Sequence, residues 1–307
     1  MIAVALAALS ALSYGASDFS GAMASRDNEA TVVTVAMQLV SLVALAVVIV
    51  LYPPAAWTMP DMLWGALGGL GAALGLVTFY RALAIGPMTV AAALTALWST
   101  AVPVVAGFLL GERPAGITMV GIAIAVPAAM LVSLDLDGDT SAEPRIDQAA
   151  DVAVSSRPQL RWWPTTDRWQ TRTLAIVAGC GFGLFFVALS RTSAEAGLLP
   201  LVGARIASIA ALGYAIHRFG SVLKPAAAGW WLLIVVAGIL DFVANATYLV
   251  AVRNGSLTWV AAISSLYPVS TVLLARIVLD ERLAKVQLWG LGASGLALVL
   301  VGIGAGG

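Results

Sequence analysis

Ten runs of about twenty mostly apolar residues leave this chain few ways to fold. They fall at 2–22, 31–51, 62–81, 88–110, 114–133, 173–192, 197–216, 229–250, 257–279 and 285–304. A run of that length, wound as an α-helix, covers the hydrocarbon core of a bilayer. Charge is scarce to match: 10% of the 307 residues are Asp, Glu, Lys or Arg, against about 25% in soluble domains. The expected fold is therefore an all-α integral membrane protein of ten transmembrane helices. The first run, "MIAVALAALSALSYGASDF", lacks the basic n-region of a signal peptide and carries Asp18, so it is read as the first retained helix.

The breaks between the runs are short and carry Pro53-Pro54, Gly86-Pro87, Arg253-Asn254-Gly255 and two Glu-Arg pairs. One break differs. Residues 134–172 hold seven acids and five arginines, with too little apolar surface to fold alone. Trp162, Trp163 and Trp169 near its end, flanked by Arg, fit an interfacial aromatic anchor. This polar linker splits the helices five and five.

The two halves are copies. With residue n set against n+169, Gly86 falls on Gly255, Thr89 on Thr258, Leu97 on Leu266 and Glu112-Arg113 on Glu281-Arg282. Ten of the 35 positions from 79 to 113 are identical without a gap. Gly121 on Gly290 extends the register. The units are 1–133 and 173–307, with the linker 134–172 between them. Five helices is an odd number, so the second copy must enter the membrane from the opposite side. Inverted repeats of this kind build many secondary transporters, in which two halves rock about a site between them.

The segments "FYRALAIGPMTVAAALTALWSTAVPVVAGFLLGERPAGITMVG" at 79–121 and "TYLVAVRNGSLTWVAAISSLYPVSTVLLARIVLDERLAKVQLWG" at 247–290 resemble the drug/metabolite transporter superfamily, EamA type. The Tyr-x-Ala-Leu-x-x-Gly opening stands at 80–86 and is looser in the second copy. Asp280 departs from the Gly usual before the second Glu, and the long linker is a second departure. The resemblance covers nearly the whole chain outside the linker. It implies two inverted five-helix repeats and a small-molecule carrier, often an exporter, in a bacterial cell membrane. The expected partners are a small-molecule substrate, the lipid bilayer and protons. Transport needs no cofactor, and no nucleic acid is expected. Smaller relatives pair to supply both halves; duplication supplies them here, so a functional monomer is expected.

Polar groups at membrane depth are candidates for function, since a charge there costs at least about 2.5–3.5 kcal/mol. Asp241 sits near the middle of the eighth run, with Asn245 one turn on and Tyr248 at i+7, all on one face. The first copy has Ala72, Leu76 and Phe79 there, so this polar face is added to one half only. A carboxylate that exchanges a proton at that depth can couple transport to protons. Asp18, with Tyr14 at i−4, lies in the last third of the first run. Arg205 lies inside the seventh, as a partner for Asp241, for Asp18 or for a substrate carboxylate. Gln38 has the matching place in the second run. Thr95, Trp98 and Ser99 map onto Ser264, Tyr267 and Pro268. Their i, i+3, i+4 spacing puts each set on one face, as cavity lining or as packing between helices. Pro103 and Pro268 are expected to kink their helices.

The bland readings are also explicit. Glu112 and Glu281 are expected to complement the positive ends of the helices that follow them, with Arg113 and Arg282 reaching into headgroups; gating is the alternative role. Arg81, Arg191, Glu195, Arg253 and Arg276 are read as anchors at helix ends. The "GCGFG" at 179–183 lies within an apolar helix, so it is close helix packing and not a phosphate loop. With one His (His217) and one Cys (Cys180), His/Cys metal sites and an internal disulfide are excluded. A membrane-embedded lipid enzyme would need an acid/base or metal cluster that the sequence does not offer. A passive facilitator of the same fold is the closer competitor. The Lys and Arg of the loops favour termini outside by the positive-inside rule, whereas the resemblance implies termini inside.

Overall fold

The computed structural model describes residues 2–25, 28, 30–85, 88–133, 168–219, 228–279 and 283–306. Among them the chain is helical: α1 (Ile2–Ala24), α2 (Ala30–Leu51), α3 (Met59–Ile85), α4 (Met88–Leu109), α5 (Gly116–Ser133), α6 (Arg168–Ser190), α7 (Leu199–Phe219), α8 (Trp231–Arg253), α9 (Leu257–Ser264), α10 (Tyr267–Val278) and α11 (Lys285–Gly306). Eight segments are long and apolar enough to cross a membrane, with 257–278 counted as one, and α4 and α5 contribute shorter apolar helices. Helices dominate because lipid offers backbone groups no partners, so each segment must satisfy its own.

The ninth apolar run is two helices. Pro268 has no N–H to give to the carbonyl of Ser264. The chain passes through a tight turn, in which Leu266 N–H donates to Ile263 O at 3.0 Å and Val269 N–H to Leu266 O at 3.0 Å. Pro103, expected to act alike, lies inside an unbroken α4.

Two ends of the bundle can be told apart. Ile2, Ala3, Asn254, Trp259 and Ala305 line one pocket, which gathers the start of α1, the α8–α9 turn and the end of α11. Ala56 N–H donates to Glu195 O at 3.3 Å, joining the α2–α3 and α6–α7 loops at this near end. The 23 residues of α1 rise about 35 Å and carry Ala24 to the far end, where α5 finishes. The main apolar core lies in the near-end half. Ala7, Leu189, Tyr248, Leu249, Val260 and Ala261 are all fully buried there.

α3 packs against α6, α1 against α8, and α5 against α11. Small residues let these backbones approach. A Cβ on Gly179 would lie 2.6 Å from Thr95 O, and one on Gly183 2.6 Å from Val102 Cβ, so both ends of the "GCGFG" stretch turn toward α4. A Cβ on Gly121 would lie 2.8 Å from Val301 Cγ2, and one on Gly290 2.8 Å from Val132 Cγ2. Since 121 + 169 = 290 and 132 + 169 = 301, the two contacts exchange under the register of the sequence repeat.

Candidate functional site

The polar residues of α1, α7 and α8 meet at the middle of the bundle. Arg205 and Asp241 form an ion pair, with side chains 13% and 21% exposed. Asp241 is reinforced from its own helix. Asn245, one turn on, donates through Nδ2 to Asp241 O at 2.6 Å and to its Oδ1 at 3.1 Å. The Tyr14 hydroxyl closes the chain by donating to Asn245 Oδ1 at 2.9 Å. The i, i+4 spacing on α8 thus turns both groups toward α1. That seam is fixed by Ser10 Oγ donating to Ala244 O at 2.9 Å and Ser17 Oγ to Ala237 O at 2.8 Å. Gln38 of α2 also takes part, accepting from the Ser208 hydroxyl of α7.

Asp18 lies one turn beyond Tyr14 on α1. It is exposed and within electrostatic reach of Asp241, Tyr14 and Tyr267. Among the described residues it has neither an ion pair nor a hydrogen bond. The site therefore carries two carboxylates against one guanidinium. Tyr267, at the start of α10, meets the Tyr14 ring edge to face, with centroids 6.4 Å apart at 63°. Phe186 of α6 does the same from the other side at 6.2 Å and 74°.

Tyr248 does not join this cluster. Its position at i+7 gives the same face as Asp241, but about 10 Å along the axis, which places it in the near-end core. It is fully buried, its hydroxyl donates to Phe186 O at 3.1 Å, and its ring packs against Phe186 at a tilt of 42° with centroids 4.5 Å apart. The hydroxyl stripe also behaves as packing. Thr95 Oγ1 donates to Ala175 O at 3.2 Å, and Ser99 Oγ to Ala96 O at 3.0 Å, both buried. Ser264 is fully buried and its hydroxyl has no partner among the described residues. Of the two sets Trp98, 37% exposed, and the half-buried Tyr267 and Pro268 present surface.

Glu112 is where the structure departs furthest from expectation. It does not serve the helix that follows it. Its Oε1 accepts from Leu257 N–H at 2.6 Å and its Oε2 from Thr258 N–H at 2.8 Å. The Thr258 hydroxyl donates to Oε2 as well. The carboxylate thus caps α9, in the other half of the chain. Arg113 makes only a local bond, from Nη1 to Glu112 O at 3.2 Å. Glu281 and Arg282 lie outside the described residues.

Other near-end groups span loops in the same way. Arg253 donates from Nη1 to Gly197 O at 2.6 Å and from Nη2 to Thr192 Oγ1 at 2.9 Å, so it anchors to the protein and not to headgroups. Asp61 accepts from Ser193 N–H at 2.7 Å and from Thr58 N–H at 3.0 Å. Sequence reasoning passed over Asp61; its place three residues after Thr58, at a helix start, was the available signal.

Residues 171–303 match the EamA-like transporter family. The bundle as a whole superposes on a protein of known crystal structure with a TM-score of 0.68 at 15% identity, covering 97% of each chain. At that identity the likeness concerns the fold alone. No curated protein matches the chain.

Proposed function

We propose, from the match of residues 171–303 to the EamA-like transporter family of the drug/metabolite transporter superfamily, that this chain is a membrane transporter and not an enzyme, and specifically a proton-coupled secondary carrier. It moves a small metabolite, amino acid or drug by alternating access, in a bacterial plasma membrane, as a monomer. The units 1–133 and 173–307 are inverted repeats about an axis in the membrane plane. The exchanged contacts Gly121–Val301 and Gly290–Val132 support that symmetry.

One observation carries the coupling: Asp18 is a carboxylate at membrane depth with no cation paired to it among the described residues. Asp241 is paired with Arg205 and held by Asn245, so its carboxylate already has partners inside the protein. The charged group acting on Asp18 among the described residues is the like-charged Asp241, so its charge calls for a proton or a cationic group of the substrate. The sequence favoured Asp241 as the coupling group; the geometry favours Asp18, with Asp241, Arg205, Asn245 and Tyr14 shaping the pocket. Trp98 and Tyr267 supply its aromatic walls.

The test is proton movement in proteoliposomes. A pH gradient is imposed, and amino acids, sugars and cationic drugs are added in turn. One class should dissipate the gradient through the wild-type protein and not through Asp18→Asn. Solute crossing with no proton flux in either protein would leave a passive facilitator.

A further inference from the structure

The helix α9 has two candidate caps, and only one is in use. Ser256 stands at its N-cap position with φ −90° and ψ 145°, the extended backbone from which a serine side chain caps a helix. Yet its hydroxyl makes no cap bond and is buried without a partner among the described residues. The first two N–H groups of α9 go instead to Glu112, 145 and 146 residues away in sequence. The chain delivers that carboxylate by a glycine turn at the end of α4. Gly111 has φ +92°; its N–H donates to Phe108 O at 3.0 Å, and Glu112 N–H to Gly107 O at 3.0 Å. This is the Schellman arrangement, which needs the left-handed residue. Gly107 makes room as well, for a Cβ there would sit 2.6 Å from Glu112 Oε2 and against the Thr258 hydroxyl.

The place matters as much as the bond. The near end is shut by the apolar core and tied across loops by Asp61 and Arg253. Asp18, toward the far end, is exposed. A carrier that opens to both sides must at some stage part α4 from α9 at the near end.

We propose that Glu112 is the latch of a near-end gate, and that Ser256 takes over the cap of α9 when the latch lets go. A second cap leaves the amides of Thr258 and Trp259 a local acceptor in the open state, so the opening does not strand them. Resting on the alternating-access reading above, this assigns to one Glu-Arg pair the conformational part of the cycle.

The test uses the full-length protein in nanodiscs, both faces accessible, in a Cys180→Ser background. Two reporters are compared with a membrane-impermeant maleimide: Ala7→Cys, fully buried in the near-end core, and Asp18→Cys, exposed toward the far end. Glu112→Gln should raise labelling at Ala7→Cys by about tenfold or more, the scale of one lost charge-assisted hydrogen bond, with labelling at Asp18→Cys unchanged or lower. Gly107→Ala, which crowds the carboxylate without removing it, should do the same and serves if Glu112→Gln does not fold. Adding Ser256→Ala to Glu112→Gln should reduce the rise, because the open state then loses its cap. General loosening would raise both reporters. That result, or no rise at Ala7→Cys in either variant, overturns the latch. An unreduced rise in the double variant overturns the role of Ser256. No substrate is needed, so the two readings fail separately. A gate that responds in a protein that moves no solute would refute the transport reading alone; solute flux with an unresponsive gate would refute the latch alone.

Discussion

Arg205→Met removes the one cation paired with Asp241 among the described residues and leaves the carboxylate at membrane depth with the Asn245 amide. Breaking a buried ion pair by deleting one partner costs about 3–5 kcal/mol in soluble cores. Here the side chains are 13% and 21% exposed and Asn245 still donates at 3.1 Å, so we expect a loss of about 2–3 kcal/mol. The same logic fixes the second half of the cycle. Asp241→Asn removes the charge but keeps the shape, and in that background Arg205→Met deletes a guanidinium that has already lost its counter-ion. The double variant should therefore be more stable than the sum of the single losses predicts, with a coupling energy of about 2 kcal/mol. Unfolding by increasing SDS in mixed micelles, followed by tryptophan fluorescence, measures all four proteins. Losses that add to within about 0.5 kcal/mol would show that the pair contributes nothing in the membrane, and the pocket described around it would have to be redrawn.

Two further outcomes are expected in the same assay. Gly121→Ala and Gly290→Ala should each destabilise by about 1–3 kcal/mol and by similar amounts, because each added methyl meets the equivalent valine at 2.8 Å; a loss confined to one site would contradict reciprocal packing of α5 and α11. Tyr248→Phe should cost about 1 kcal/mol for its bond to Phe186 O, with solute flux in proteoliposomes unchanged. A flux defect without a stability change would return Tyr248 to the pocket.

Much of this arrangement could be read from local spacing. The i, i+4 relation of Asp241 and Asn245 gave their common face, and Tyr14 four residues before Asp18 marked the α1 side of the pocket. Arg205 had two possible partners in sequence, and only the assembled bundle, in which α7 and α8 both pack on α2, selects Asp241. Tyr248 shows the limit of periodicity, which reports the face of a helix but not its depth in the bundle. Glu112 shows another: its position in a loop was plain, but its partners are 145 residues away, and nothing in the neighbourhood of a carboxylate tells which helix end it will find. Pro103 and Pro268 carry the same residue with different results. Which proline breaks a helix depends on whether the surrounding structure absorbs a missing hydrogen bond, and that is a tertiary property.

The polar cluster draws its charged side chains from α1, α7 and α8, whereas the positions equivalent to Asp241 and Asn245 in the first half are Ala72 and Leu76. The glycine seams that position the helices and the polar groups of the proposed pocket are thus largely separate sets of residues. Such a protein can change what it carries through a handful of substitutions that leave its glycine-packed seams alone. On the proposed reading, selection acts on cargo and on folding almost independently, and the apolar positions Ala72 and Leu76 of the first half offer a second place to start.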